Sequence, residues 1–184
     1  MNRKEFIAAS AKTGLGCTAL ALLGMAPARA EAAPADAEKT FVKNWLTDLF
    51  EAMDTELDEA TKVKVMAGCG KGCFRRHKFK TDIAADGKGD LDKLLEAYKR
   101  NFEVWRDGDR VHVRVHIRFG EAVRQCYCPA ARFHPVRPHD MHCECTRATH
   151  QAIFETALER PVKVEIVESL RRGSKTCHFI AHLA

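Results

Sequence analysis

Phe41, Val42, Trp45, Leu46, Leu49, Phe50 and Met53 recur three and four residues apart, which is the spacing of one helix face and predicts an amphipathic helix over 37–52. A second, short helix is expected over 58–67, ended by Gly68. Asp86-Gly87-Lys88-Gly89 reads as a loop, and Asp90 as the cap of a third helix reaching about residue 100. The period then changes from helical to alternating. Val104-Trp105-Arg106 and 111–119 flank Asp107-Gly108, a hairpin signal. In the second of these strands Val111, Val113, Val115, Ile117 and Phe119 share one face, and His112, Arg114, His116 and Arg118 the other. A loop holding four cysteines follows, then a helix over 146–159 with Ile153, Phe154, Ala157 and Leu158 turned inward, stopped by Pro161. Strands over 162–167 and 177–183 close the chain around Arg172-Gly173-Ser174-Lys175. The order of helices, hairpin, helix and hairpin predicts an α+β domain with a mainly antiparallel sheet.

The N-terminus does not fit this domain pattern. Arg3 and Lys4 precede the apolar run Thr18-Ala19-Leu20-Ala21-Leu22-Leu23, and Ala28-Arg29-Ala30 has the small-x-small form of a cleavage site. Residues 1–30 are therefore expected to be a signal peptide, with 31–184 exported as one Cys-rich domain to the periplasm or cell envelope. Asn2-Arg3-Lys4-Glu5-Phe6-Ile7 also resembles a twin-arginine signal with Lys4 in the second arginine position; that route carries folded proteins. The apolar run is too short to span a bilayer, so no transmembrane segment is expected in the mature chain. Cys17 is read as part of the signal, because Gly14 rather than leucine stands three residues before it and apolar residues follow. Glu31 to Ala37 is an Ala/Pro-rich leader expected to be disordered once cleaved.

Charge matters only after this subtraction. The whole chain carries a net +5, but Arg3, Lys4, Lys12 and Arg29 against Glu5 lie in the signal, leaving +2 for the rest. That excludes a strong nucleic-acid footprint. The sequence carries no signal for a particular oligomeric state.

The chemistry is concentrated in the mature chain, which holds seven of the eight cysteines and all nine histidines. Cys126-Tyr127-Cys128-Pro129 and Cys143-Glu144-Cys145 form two Cys-x-Cys pairs. Four thiolates converging from such pairs suit a tetrahedral ion: zinc, with an iron–sulfur centre as the alternative. Cys69 and Cys73 form a further pair between glycines that let the backbone curl around a ligand, and His142, like His134 and His139, offers an imidazole in place of a thiolate. Disulfides are the competing reading in an oxidising compartment, although an odd number of thiols leaves one unpaired. Cys177 on a strand reads as a small buried hydrophobe rather than a nucleophile, since His178 points to the other face. His112 and His116 lie roughly 13 Å apart on one strand, too far to share an ion. Their stripe reads as a solvated cationic face able to take a small carboxylate or phosphate. Arg75, Arg76, His77 and Lys78 read as wet surface, and no Walker loop, dinucleotide fingerprint, His-Glu-x-x-His or Gly-x-Ser-x-Gly occurs.

Cys69-Gly70-x-Gly72-Cys73, Cys126-Tyr127-Cys128-Pro129 and Cys143-Glu144-Cys145 are joined downstream by Pro161-Val162-x-Val164-Glu165, Glu168-Ser169, Gly173 and Cys177-x-Phe179-x-Ala181. Together they resemble the L-2-amino-thiazoline-4-carboxylic acid hydrolase-like family of small bacterial proteins. The C-terminal half is also similar to the vinyl-4-reductase domain, a small-molecule-binding module. The resemblance implies hydrolysis of a ring carbon–nitrogen bond, which a metal-bound water could perform, and it assigns no catalytic residue here. The functional expectation is an exported domain binding metal or a small ligand through the Cys-x-Cys pairs. A metal-assisted hydrolase and a disulfide-stapled or thiol-redox envelope protein are the alternatives.

Overall fold

The computed structural model describes residues 35–115, 126, 128–137 and 139–184. The expected signal peptide, Cys17 and the stripe residues His116, Ile117, Arg118 and Phe119 lie outside the described residues. The chain is α+β: α1 (Ala35–Glu56), α2 (Glu59–Arg76), α3 (Lys78–Asp86), α4 (Leu91–Lys99), β1 (Glu103–Asp107), β2 (Arg110–Arg114), α5 (His142–Leu158), β3 (Lys163–Glu168) and β4 (His178–His182). The four strands form an antiparallel sheet in the order β1-β2-β4-β3. Among the described residues no helix is long and apolar enough to cross a membrane.

Caps set several boundaries. Asp58 accepts from the amide of Thr61 (2.9 Å) at the head of α2, and Asp90 from those of Asp92 and Lys93 (3.0 and 3.1 Å) at the head of α4. Gly108, at φ 61°, sits in the tight turn of the β1–β2 hairpin, which pairs Asp107 with Arg110. The core fills the space between the sheet and the helices. Val104, Val111, Val113, Val164, Phe179 and Ala181 face Leu94 and Tyr98 of α4, Ile83 of α3, and Ile153, Phe154 and Ala157 of α5. The alternation expected in β2 holds where it is described, with Val111 and Val113 buried and His112 and Arg114 on the opposite face.

Three expectations need correction. Gly68 does not end the second helix: α2 runs through Cys69-Gly70-Lys71-Gly72-Cys73 to Arg76, and a short helix, α3, follows where none is expected. The last helix begins at His142, four residues before the expected start, so Cys143 and Cys145 belong to its first turns. In α1 only the end of the apolar face is packed. Phe50 and Met53 meet Met66 and Met141, whereas Phe41, Val42, Trp45 and Leu49 are exposed.

Candidate thiol centre

Helix geometry decides which cysteines can meet. At about 100° per residue, positions i and i+2 point to different sides of a helix, whereas i and i+4 share a face. Cys143 and Cys145 are therefore turned apart, while Cys69 and Cys73 stand one turn above each other on α2. The α2 and α5 helices cross closely at Gly70. A methyl group there would lie 2.3 Å from the carbonyl oxygen of Cys145 and 2.8 Å from Cβ of Ala148. Thr149 Oγ1 donates at this crossing to the carbonyls of Gly70 (3.1 Å) and Cys145 (3.0 Å). The glycine thus serves close packing of two helices rather than a backbone curl around a ligand.

The crossing brings Cys145 into the electrostatic neighbourhood of Cys69, Cys73 and Cys128. Lys80, from α3, donates its ammonium to Cys73 Sγ at 2.9 Å. Burial pushes the Cys145 thiol up to about 12, and the neighbouring thiolates add to the shift while Lys80 opposes it. Cys69 is exposed, and Cys73, Cys128 and Cys145 are half-buried.

The remaining cysteines form a second group. Cys143 Sγ lies 2.9 Å from Ser169 Oγ and is pushed up to about 11, chiefly by burial. Cys143 feels Cys177, and Cys126 feels both Cys177 and Cys128; Cys177 itself packs half-buried against the core. Cys145 is thus coupled to Cys128 and to the α2 pair, Cys143 to Cys177, and Cys126 to both Cys128 and Cys177. Among the described residues all seven cysteines are free, and no three His, Cys, Asp or Glu side chains already stand close enough to hold a metal ion.

The histidines expected near the cysteines go elsewhere. His142 is buried against the edge of the Phe50 ring (centroids 4.4 Å apart) and beside His134 (5.3 Å). Its basicity is pulled down, first by burial and against the opposing field of Asp140. His134 Nε2 lies 3.1 Å from Asp54, which also pairs with Arg137 Nε at 2.7 Å. Beneath them Asp140 accepts from Arg171 Nε (2.7 Å) and from the amide of His142 (3.0 Å) at the head of α5. His139 is exposed.

Gly70, Lys80 and Arg171 escape a reading of the sequence. Gly70 is visible there as a loop signal, Lys80 belongs to a helix the pattern does not announce, and nothing local distinguishes Arg171 from Arg172.

Compared with known proteins, the chain matches no family model, no curated protein and no solved structure. The hydrolase-like resemblance therefore stands as an expectation from the motifs alone.

Proposed function

We propose that this chain is an exported protein that holds a thiophilic metal ion, zinc in the first instance, on Cys69, Cys73, Cys128 and Cys145. The observation that supports the reading is that Cys145 lies within electrostatic reach of Cys69, Cys73 and Cys128, with the Lys80 ammonium on Cys73 Sγ. Sulfur ligands suit zinc, and an N–H donor to a coordinating sulfur offsets its charge. Binding requires the thiols to close. Rotation about χ1 alone carries a sulfur by about 3 Å, and Cys128 lies outside regular secondary structure. Because the Cys145 thiol is held protonated by burial, metal uptake releases protons and strengthens as pH rises.

Native mass spectrometry of protein taken from the envelope fraction without chelator or reductant tests this. The expected result is one metal per chain with free thiols. Cys73→Ser and Cys145→Ser should lose the metal, whereas Cys143→Ser and Cys177→Ser should keep it. Metal-free protein with its cysteines in disulfides would overturn the reading, as would full retention in both Cys73→Ser and Cys145→Ser.

A further inference from the structure

The outer face of the sheet carries a pair of imidazoles that the thiol centre does not use. His112 on β2, opposite Ile180, and His178 on β4, opposite Arg114, stand diagonally on this face, and His112 Nδ1 lies 3.0 Å from His178 Nε2. The Trp105 ring stacks on both, at 4.8 Å from His112 with 9° between planes and at 5.3 Å from His178. Arg114 lies over the same indole at 5.0 Å and is itself paired with Glu103 at 3.3 Å. Where it is described, at His112 and Arg114, the stripe expected to be solvated is half-buried and packed against Trp105. The imidazole close to His112 comes from the neighbouring strand, distant in sequence.

The geometry points to a bidentate site on His112 and His178 for a late first-row divalent ion such as Ni²⁺, Cu²⁺ or Zn²⁺. Imidazole nitrogens bind such ions at about 2.0–2.1 Å, so two donors in neighbouring coordination positions stand about 2.9–3.4 Å apart. The observed 3.0 Å falls in that range. A small rotation of either ring converts the nitrogen–nitrogen contact into a pair of lone pairs aimed at one ion. Imidazole suits these metals in general. The remaining coordination positions are left to water or to the donor atoms of a small ligand, because the described residues supply two.

Trp105 gives the readout. The chain has two tryptophans, and the other, Trp45, lies exposed on α1, so Trp45→Phe leaves Trp105 as the only indole. Titrating Ni²⁺, which is paramagnetic and quenches a stacked indole, into the Trp45→Phe protein should give saturable quenching at one ion per chain. His112→Gln should abolish that quenching, with circular dichroism confirming that the fold persists; His112 is only half-buried, which makes it the safer variant than the buried His178. Cys73→Ser should leave the quenching unchanged, so failure of this site and failure of the thiol centre are read separately. Absence of saturable quenching, or quenching that survives in folded His112→Gln, would leave the two histidines as a hydrogen-bonded pair and overturn the proposal.

Discussion

His150 shows how one side chain sets the response of the protein to acid. It is buried between Tyr98, on which it stacks, and the rings of Phe102 and Phe179. Its Nδ1 lies 3.4 Å from the Tyr98 hydroxyl. Among the described residues no carboxylate compensates a charge here, and burial, with Lys80 acting in the same direction, pulls its pKa down to about 3 from the ordinary 6.5. The unfolded chain takes up this proton near pH 6.5 and the folded chain does not. Stability is therefore unaffected by His150 above that pH and falls as pH drops toward 3. Near pH 5 the loss from this one group is about 2 kcal/mol. His134 and His142, whose basicity is also lowered by burial, act with the same sign. His150→Gln cannot take the proton, so the difference in urea midpoint between neutral and mildly acidic solution should shrink in that variant, whatever it does to stability at neutral pH. An undiminished difference would place the acid sensitivity on other groups.

At the scale of elements, two glycines in one helix should respond in opposite directions. Both lie within α2, where alanine is intrinsically better than glycine by about 1 kcal/mol. At Gly68 an added methyl group meets nothing within 4 Å, so Gly68→Ala should stabilise by about 0.5–1 kcal/mol. At Gly70 the same methyl group would strike the Cys145 backbone oxygen at 2.3 Å. Backbone cannot swing aside as a side chain can, so Gly70→Ala should force α2 and α5 apart and cost about 1–3 kcal/mol. Denaturant unfolding of the two variants separates them; stabilisation by both would mean that α2 and α5 can part at Gly70 without cost. The same helix shows why the cysteines were only partly legible. Alternation in β2 and the cap at Asp90 are local signals and point to the right elements. The meeting of Cys69, Cys73 and Cys145 is not local. It depends on glycines being read as helix-packing residues instead of helix breakers, and on α5 starting early enough to turn Cys143 away from Cys145. Spacing in the sequence draws attention to the Cys-x-Cys pairs, whereas the shared face of Cys69 and Cys73 follows only once α2 is seen to continue through them.

Across the whole molecule, Arg171 ties the cysteine-bearing segment to the frame. From the turn after β3 its guanidinium reaches Asp140 Oδ2 (2.7 Å) and the carbonyls of Ala131 (2.7 Å), His134 (2.9 Å) and Pro135 (3.1 Å). Asp140 in turn holds the head of α5, and Thr47 of α1 donates to the carbonyl of Phe133 at 2.7 Å. Residues 130–141, which follow Cys128, are thus anchored from three sides, and both charges of the central pair are buried. Burying an ion pair is close to neutral in free energy, but removing one partner strands the other and costs about 3–5 kcal/mol. Arg171→Met keeps most of the bulk, leaves the Asp140 carboxylate alone and frees three carbonyls, so its unfolding free energy should fall by that amount. Arg171→Met/Asp140→Asn removes the stranded charge and should recover part of the loss. Equal destabilisation of the single and double variants would show that the carbonyl contacts matter and the charge does not. If Cys128 reaches the thiol centre only because this clamp places its segment, folded Arg171→Met should also retain less metal than the unaltered protein. The clamp would then serve the proposed site as well as the fold, although none of its atoms touches a sulfur of that site.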